Sequence, residues 1–316
     1  MGWFAMPENR MYLPEGMQGN VLYTISDIQE AQKTDAILEG TVLRCEENHD
    51  LVVSLGGLTG RIPREEAIHP LISGAGREIA VLSLVGKPVC CSVTALEADE
   101  AGRPRLTLSR RRAQAQALDW MLRNLAPGMV IACKVTHLES FGAFVDMGCG
   151  VISLLPIESL SVSRIAHPGD RVRVGQHLLA VVTAVEPEKN RFHLSHRELL
   201  GTWMENASRF RAGQTVRGIV RSLQDYGIFV ELTPNLSGLA DPFSQLSVGD
   251  AVSVYIKSIQ PEKMKVKLQI IDRLPRPQMP EPIRYQITDG QLERWVYSPP
   301  GCRKAPVETV FTQDPS

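Results

Sequence analysis

The sequence predicts an all-β chain of three tandem five-stranded barrels joined by short α-helices. One pattern of short apolar runs occurs three times, at a spacing of roughly 90 residues, which is too long for a solenoid unit and suits small domains. Within each copy the runs alternate apolar with polar residues and are separated by Gly, Pro and Asn, as strands and turns are.

The second copy shows its strands most clearly. Five runs are rich in Val, Ile, Leu and Phe: Val130–Leu138, Ala143–Asp146, Val151–Pro156, His177–Val185 and Arg191–Ser195. A sheet of five short strands leaves exposed edges unless it curls, and the five-stranded Greek-key OB barrel is the usual solution at this size. We therefore expect one OB barrel in each copy.

The copies and their connectors divide the chain into seven expected segments. The linkers contain apolar residues at helical spacing, within Arg111–Leu125 and Arg197–Arg211, and Ser26 is expected to cap a short helix near the start. The tail is rich in proline and is expected to be partly ordered on the third barrel. The expected segments are an N-terminal segment at 1–35, barrels at 36–112, 128–198 and 213–272, linker helices at 113–127 and 199–212, and a tail at 273–316.

Composition indicates a folded chain without a strong overall charge. The chain has 34 basic and 35 acidic residues, so nucleic acid would have to be held by local basic patches and stacking. The start of the sequence lacks the features of a secretory signal, no 18-residue apolar run occurs, and the six cysteines form no Cys-x-x-Cys pair. We therefore expect a cytoplasmic monomer that makes no membrane contact.

The sequence contains no motif typical of catalysis, cofactor binding or metal binding. The glycine-rich run Gly56–Gly60 lacks the Lys-Ser/Thr of a phosphate-binding loop. His193 and His196 are more typical of a surface pair near RNA or solvent than of a metal site. We therefore expect no enzymatic activity, no cofactor and no metal.

Two copies carry paired aromatic residues around a glycine. SFGAFVD contains Phe141 and Phe144, and DYGIFVE contains Tyr226 and Phe229. Residues three apart on a straight strand face opposite sides, but a bulge at Gly142 would bring both rings to the outer face. A single Phe in a strand is most often buried in the core. The recurring spacing and the polar tip of Tyr226 instead favour exposed rings at Phe141 and Tyr226, and exposed rings hold single-stranded RNA by stacking on bases.

Basic residues on neighbouring strands complete the predicted RNA-binding site, because RNA phosphates need positive partners. The second copy supplies Lys134, Arg191 and His193, and the third supplies Arg217, Arg221, Lys265 and Lys267.

The stretch from about residue 36 to residue 272 resembles three repeats of the S1 RNA-binding domain family, found in a bacterial small-subunit ribosomal protein and in RNA-degrading enzymes. The most specific motif is SFGAFVD with VGQ and FHLSHREL after it, and the first copy resembles the family's N-terminal type through GRIPREEA and LSRRRA. With its tail RWVYSPPGC, the chain resembles a short three-domain clostridial form. The resemblance implies that the paired rings, with Arg191 and Lys265, contact RNA.

The copies also depart from the family pattern. The family's third-strand histidine is replaced by Pro156 and Asp241, and the acidic residue before the last hairpin is Glu186 in the second copy but Gln260 in the third. These replacements predict modest affinity for each barrel.

The first copy lacks the rings altogether. Asn48 and Leu51 are expected at the ring positions, with His49 where the glycine belongs. This barrel is therefore expected to dock on protein.

Together these features predict a protein that binds single-stranded messenger RNA and acts in translation, associated with the small ribosomal subunit. Two alternatives remain open. One is a free RNA chaperone or regulator of RNA turnover, and the other is a protein-interaction scaffold whose barrels have lost RNA binding.

Overall fold

The computed structural model describes residues 12–19, 21–70, 77–275 and 282–311, and it shows three five-stranded barrels in succession. The predicted all-β fold class is confirmed. Within these ranges, no helix has the length and apolar character needed to cross a membrane.

The first barrel is closed, with strand order β1-β2-β3-β5-β4. Its strands are β1 (Leu38–Cys45), β2 (Leu51–Ser54), β3 (Thr59–Ile62), β4 (Pro88–Ala98) and β5 (Pro104–Ser109), and α2 (Arg77–Leu82) lies between β3 and β4. The preceding helix α1 (Ile25–Thr34) is capped by Thr24, so the expected cap at Ser26 is wrong. The Asp27 amide donates to the Thr24 hydroxyl and the Asp27 carboxylate accepts from the Thr24 amide, a reciprocal capping box.

The second barrel is the one without a complete ring of strand pairs. Its strands are β6 (Val130–Glu139), β7 (Gly142–Asp146), β8 (Ile152–Pro156), β9 (His177–Glu186) and β10 (Arg191–Ser195), preceded by α3 (Arg110–Asn124) and interrupted by α4 (Ile157–Leu160). No backbone ladder joins β8 to β10.

One side chain explains this open seam. Ser153 on β8 occupies the position of Gly60 and Gly238 in the other barrels, where an added Cβ would come within 2.5 Å of a leucine on the last strand. The Ser153 hydroxyl fills that space and donates to the Phe192 carbonyl over 2.8 Å. A side-chain hydrogen bond therefore replaces the closing ladder.

The third barrel is closed, with strand order β11-β12-β13-β15-β14. Its strands are β11 (Thr215–Gln224), β12 (Gly227–Thr233), β13 (Leu236–Ala240), β14 (Ala251–Gln260) and β15 (Lys265–Leu274). The linker before it is not the continuous helix expected over 199–212. Gly201, at a φ of +86°, separates a 3-10 turn from the short helix α5 (Trp203–Ala207), which Thr202 caps.

The tail packs into the third barrel's core. Strands β16 (Arg294–Val296) and β17 (Glu308–Val310) form a hairpin, and Trp295, Tyr297 and Phe311 are buried in the third core. The tail also contacts the second barrel, because the Tyr285 hydroxyl accepts from the Leu179 amide over 3.0 Å.

Two buried ionic networks join consecutive barrels. Between the first and second, Arg110 donates two 2.8 Å hydrogen bonds to Glu15, whose own amide donates to Asp146. Between the second and third, Arg171 donates two hydrogen bonds of 2.7 and 2.8 Å to Glu231. Broken buried pairs are costly, so these contacts favour one arrangement of neighbouring barrels.

Candidate nucleic-acid interface

A row of outward side chains runs around the third barrel. The strand registers pair Phe229 with Ser222 on one side and with Leu239 on the other, and Leu239 is paired in turn with Lys267. Alternate residues of these strands face the core, so this row faces outward. In the turn before β12, Tyr226 is 68% exposed, and its ring meets that of Phe229 edge to face at 6.3 Å.

The second barrel repeats this arrangement. Phe141 is 53% exposed in the turn before β7, and its ring lies edge to face against Phe144 at 6.1 Å. Phe144 is half-buried, is paired with Leu154, and carries the His137 ring stacked against it at 6.3 Å. The second and third barrels thus each present one exposed ring beside one half-buried ring, and we call this pair the ring face of the barrel.

The two rings share a face for a different reason from the one expected. Phe141 lies in the turn, outside the strand, and the bulge is at Thr136 on β6 rather than at Gly142. Glycine is needed for another reason. A Cβ at Gly142 or at Gly227 would come within 2.6 Å of a carbonyl oxygen on the next strand.

The last strand of the second barrel brings basic groups to the outside, but an acid partly neutralises them. Arg191 and His193 are exposed. Glu186 lies 2.8 Å from His193 and 2.7 Å from Lys189. Hydrogen bonds from Lys189 and His193 lower the pKa of Glu186 to about 2, so this carboxylate is charged at neutral pH.

In the third barrel the corresponding lysines have less acidic charge beside them, because the carboxylate whose pKa Lys267 helps to lower, Asp241, is itself paired with Lys257. Lys265 and Lys267 are exposed, and neither forms an ion pair within the part of the chain that the structure describes. Gln260 stands where the second barrel has Glu186, and it carries no charge. The third ring face is therefore the more positive of the two.

The structure does not bring the other three predicted basic residues to the ring faces. Lys134 donates to the Glu15 carbonyl at 2.8 Å, and Arg217 donates to the Pro275 carbonyl at 2.9 Å. The Arg221 side chain is only 9% exposed, because it is paired with Glu231. Each of these three groups contacts another part of the protein, and of the three Arg217 remains exposed, with one hydrogen bond to the chain.

The first barrel has no ring face, and its alignment from sequence is wrong by one residue. The register places Val52 at the position of Phe144, with Arg44 and Arg61 as its neighbours, whereas Leu51 is fully buried. His49 and Asp50 then replace Phe141 and Gly142, instead of Asn48 and His49. Arg61 is paired with the buried Asp50.

His196 is buried, so the expected surface pair with His193 is wrong. Its Nδ1 lies 2.6 Å from the Leu179 carbonyl, and burial lowers the pKa of His196 to about 4. A neutral, buried imidazole is a structural group here. The described residues contain no group of three His, Cys, Asp or Glu side chains that could hold a metal.

Comparison with known proteins finds a family match over the second barrel. The family model "S1 RNA binding domain" matches residues 124–197, which confirms the resemblance in the second copy. The small ribosomal subunit protein bS1 of Leuconostoc lactis is 28% identical over 267 residues, 79% of this chain and 58% of that protein. The bS1 homolog of Bacillus subtilis is 29% identical over 219 residues, which are 64% of this chain and 56% of that protein.

The chain spans about half the length of these curated relatives. Among solved structures, a multidomain protein with nucleic acid binding domains from Streptococcus pneumoniae is 17% identical, with a TM-score of 0.25. The alignment covers 75% of this chain and 73% of that one.

Proposed function

We propose that this chain, whose second barrel is an S1 RNA-binding domain, binds single-stranded RNA on two ring faces and acts in translation on the small ribosomal subunit. The observation that carries the proposal is the recurrence of one exposed ring, Phe141 or Tyr226, beside a half-buried ring at the same position of two barrels. An aromatic side chain exposed to water is energetically unfavourable, and stacking on an RNA base removes its surface from water.

Coupling of the two barrels supports binding of one strand by both faces. A stacked base contributes about 1–3 kcal/mol, so a face with two rings binds weakly by itself. The Arg171–Glu231 pair and the tail hold the second and third barrels together. A strand on one face therefore meets the other at high effective concentration, which can raise affinity by about 10²–10⁴.

The role in translation rests on the relatives and on the first barrel. The relatives are small ribosomal subunit proteins by name. The first barrel lacks rings, and this barrel and the segment before it expose apolar side chains such as Leu43 and Leu22, which suits contact with protein more than with phosphate. In the proposal, the first barrel docks on the ribosome while the other two hold messenger RNA in the cytoplasm.

The experiment is a fluorescence anisotropy titration of a labelled, unstructured RNA of about 20 nucleotides. The variant Phe141→Ala/Tyr226→Ala should weaken binding at least about tenfold, which corresponds to roughly 1.4 kcal/mol. The control is Leu22→Ala/Ile79→Ala, because both side chains are 77% exposed and lie outside the ring faces, before α1 and on α2. This control should bind like wild type.

Two results would contradict the proposed site. If the ring variant matches wild type, the rings do not contact RNA. If wild type itself does not bind, the scaffold alternative becomes the better account.

Cosedimentation with purified small subunits tests the role in translation. Wild type and the ring variant should both sediment with the subunit, because the first barrel makes that contact in the proposal. RNA binding without cosedimentation would favour the free chaperone or turnover regulator.

A further inference from the structure

A cleft between the second and third barrels lies outside both ring faces. Its volume is about 450 Å³, within the roughly 300–1,000 Å³ typical of ligand sites. Three parts of the chain form its walls: the turn ending at Arg171, strands β11 and β12, and the tail at Pro282–Gln286.

The cleft is the site of a local positive charge in a nearly neutral protein. Arginines outnumber carboxylates among its lining residues by three, whereas the formal net charge of the whole chain is −1. The charged lining residues are Arg171, Arg209, Arg217, Arg221, Arg284, Asp170 and Glu231.

The floor of the cleft is internally neutralised. Glu231 accepts hydrogen bonds from both Arg171 and Arg221, and Asp170 lies 3.5 Å from Arg221. Two guanidinium groups thus face two carboxylates. These residues fix the geometry between the barrels. The excess positive charge of the cleft therefore comes from the arginines at its rim.

The rim consists of three exposed arginines without a carboxylate partner in the described ranges. Arg209 lies over the Phe210 ring at 5.9 Å, and Arg217 donates one hydrogen bond to the Pro275 carbonyl. Arg284 is exposed and makes no hydrogen bond within those ranges. Most of their N–H donors are therefore available, and the planar guanidinium matches phosphate oxygens two at a time.

We propose that this cleft binds phosphate groups, as a site separate from the ring faces. Three guanidinium groups from three elements fit a run of phosphates better than one small anion. The half-buried Ile219 and Leu232 add apolar wall, against which a sugar or base can pack. The phosphates belong to an RNA strand or to a free polyphosphate, and the RNA source rests on the proposed function.

The test variant is Arg209→Gln/Arg217→Gln/Arg284→Gln. The matched control is Arg103→Gln/Arg123→Gln/Arg303→Gln, which removes the same charge from exposed positions elsewhere. One arm titrates sodium tripolyphosphate by calorimetry. The other measures binding of an unstructured RNA over a salt series.

The rim variant should bind tripolyphosphate at least about tenfold more weakly, since charge-assisted hydrogen bonds are the strong ones. Its slope of log K against log salt for RNA should fall by about 2, at roughly 0.7 per phosphate contact of a single strand. The control should change either quantity far less. If the rim variant matches the control in both arms, the proposal is overturned.

The two arms distinguish the source of the phosphates. A loss in the RNA arm supports a strand, and a loss with tripolyphosphate alone supports a free polyphosphate. If wild type binds tripolyphosphate but no RNA, the proposed function fails and the cleft stands. Should the triple variant lose its thermal unfolding transition, Arg284→Glu replaces it, because that side chain makes no hydrogen bond in the described ranges.

Discussion

Asp146 and Glu231 occupy the same position in two barrels, yet their pKa values shift in opposite directions. The registers pair Asp146 with Lys134 and Glu231 with Ile219, at equivalent points of the first strands. Burial raises the pKa of Asp146 to about 7, with repulsion from Glu15 adding to the effect. Glu231 is equally buried, but hydrogen bonds and charge from Arg171 and Arg221 outweigh burial and lower its pKa.

The difference shows that a buried position does not fix the charge of its acid, because the partners decide it. Glu231 has two arginines of its own, whereas the arginine near Asp146, Arg110, is taken by Glu15. Within the described residues, Asp146 accepts hydrogen bonds from backbone amides alone, those of Glu15, Gly148 and Gly150. At the contact between the first two barrels this carboxylate therefore has a pKa near neutral pH, whereas the equivalent carboxylate at the contact between the last two barrels stays charged there.

Breaking the second of these contacts should have the largest effect on stability. Glu231→Gln leaves the buried Arg171 without its carboxylate and Arg221 with Asp170 alone, and the loss of one partner from a buried pair costs about 3–5 kcal/mol. Urea unfolding should show a clearly lower midpoint. The exposed Glu262→Gln serves as control, and an equal midpoint for both variants would refute the role given to this network.

The ring faces should respond alike, because their geometry is the same. Phe141→Ala/Phe144→Ala and Tyr226→Ala/Phe229→Ala should each weaken RNA binding about tenfold or more, from the loss of at least one stacked base. Anisotropy titrations compare them with Tyr255→Ala, a 38% exposed ring outside the faces. A loss confined to one barrel would show that only one face binds.

Stability should depend on pH differently at the two carboxylates. The folded pKa of Asp146 lies above its ordinary value of 3.8, so the protonated form stabilises the fold and this contribution falls as pH rises from about 4 to about 7. The unfolding free energy of wild type minus that of Asp146→Asn should therefore decrease as pH rises over that range. The unfolding free energy of wild type minus that of Glu231→Gln should stay constant above pH 4.5 and decrease as pH falls below that value. Parallel curves for the two variants would contradict this assignment.

The sequence predicts those features of the structure that depend on residues close together in the chain. The strands and the recurring rings follow from alternation and spacing, which a single copy already contains. Glu15 could not be found in this way, because nothing in its short segment shows that its carboxylate meets Arg110. Arg221 resembles a surface residue of a strand until the second barrel packs against it and Glu231 pairs with it.

Small shifts of strand register also could not be predicted from the sequence. The turn between Glu46 and Asp50 in the first copy contains three residues, one more than the turn between Glu139 and Gly142 in the second copy, and this extra residue moves the alignment of the first copy by one position. The open seam at Ser153 depends on a contact between β8 and β10, which are distant in sequence. Pattern arguments fix neither, because both are set by three-dimensional packing.

The smallest expected effect comes from exchanging the acid that distinguishes the two ring faces. Glu186→Gln should strengthen RNA binding about two- to threefold at low salt, because it releases Lys189 and His193, and Gln260→Glu should weaken it by a similar factor. Both changes should vanish at high salt, where exposed charges are screened. Changes of the same sign in both variants would disprove the comparison.

The most direct test of the central claim is photo-crosslinking of a 4-thiouridine-labelled RNA to the wild-type chain, with peptides identified by mass spectrometry. The account predicts crosslinks at Phe141 or Phe144 in the second barrel and at Tyr226 or Phe229 in the third, with none on the first-barrel strands. Crosslinks concentrated on the first barrel, with the ring faces unlabelled, would contradict it.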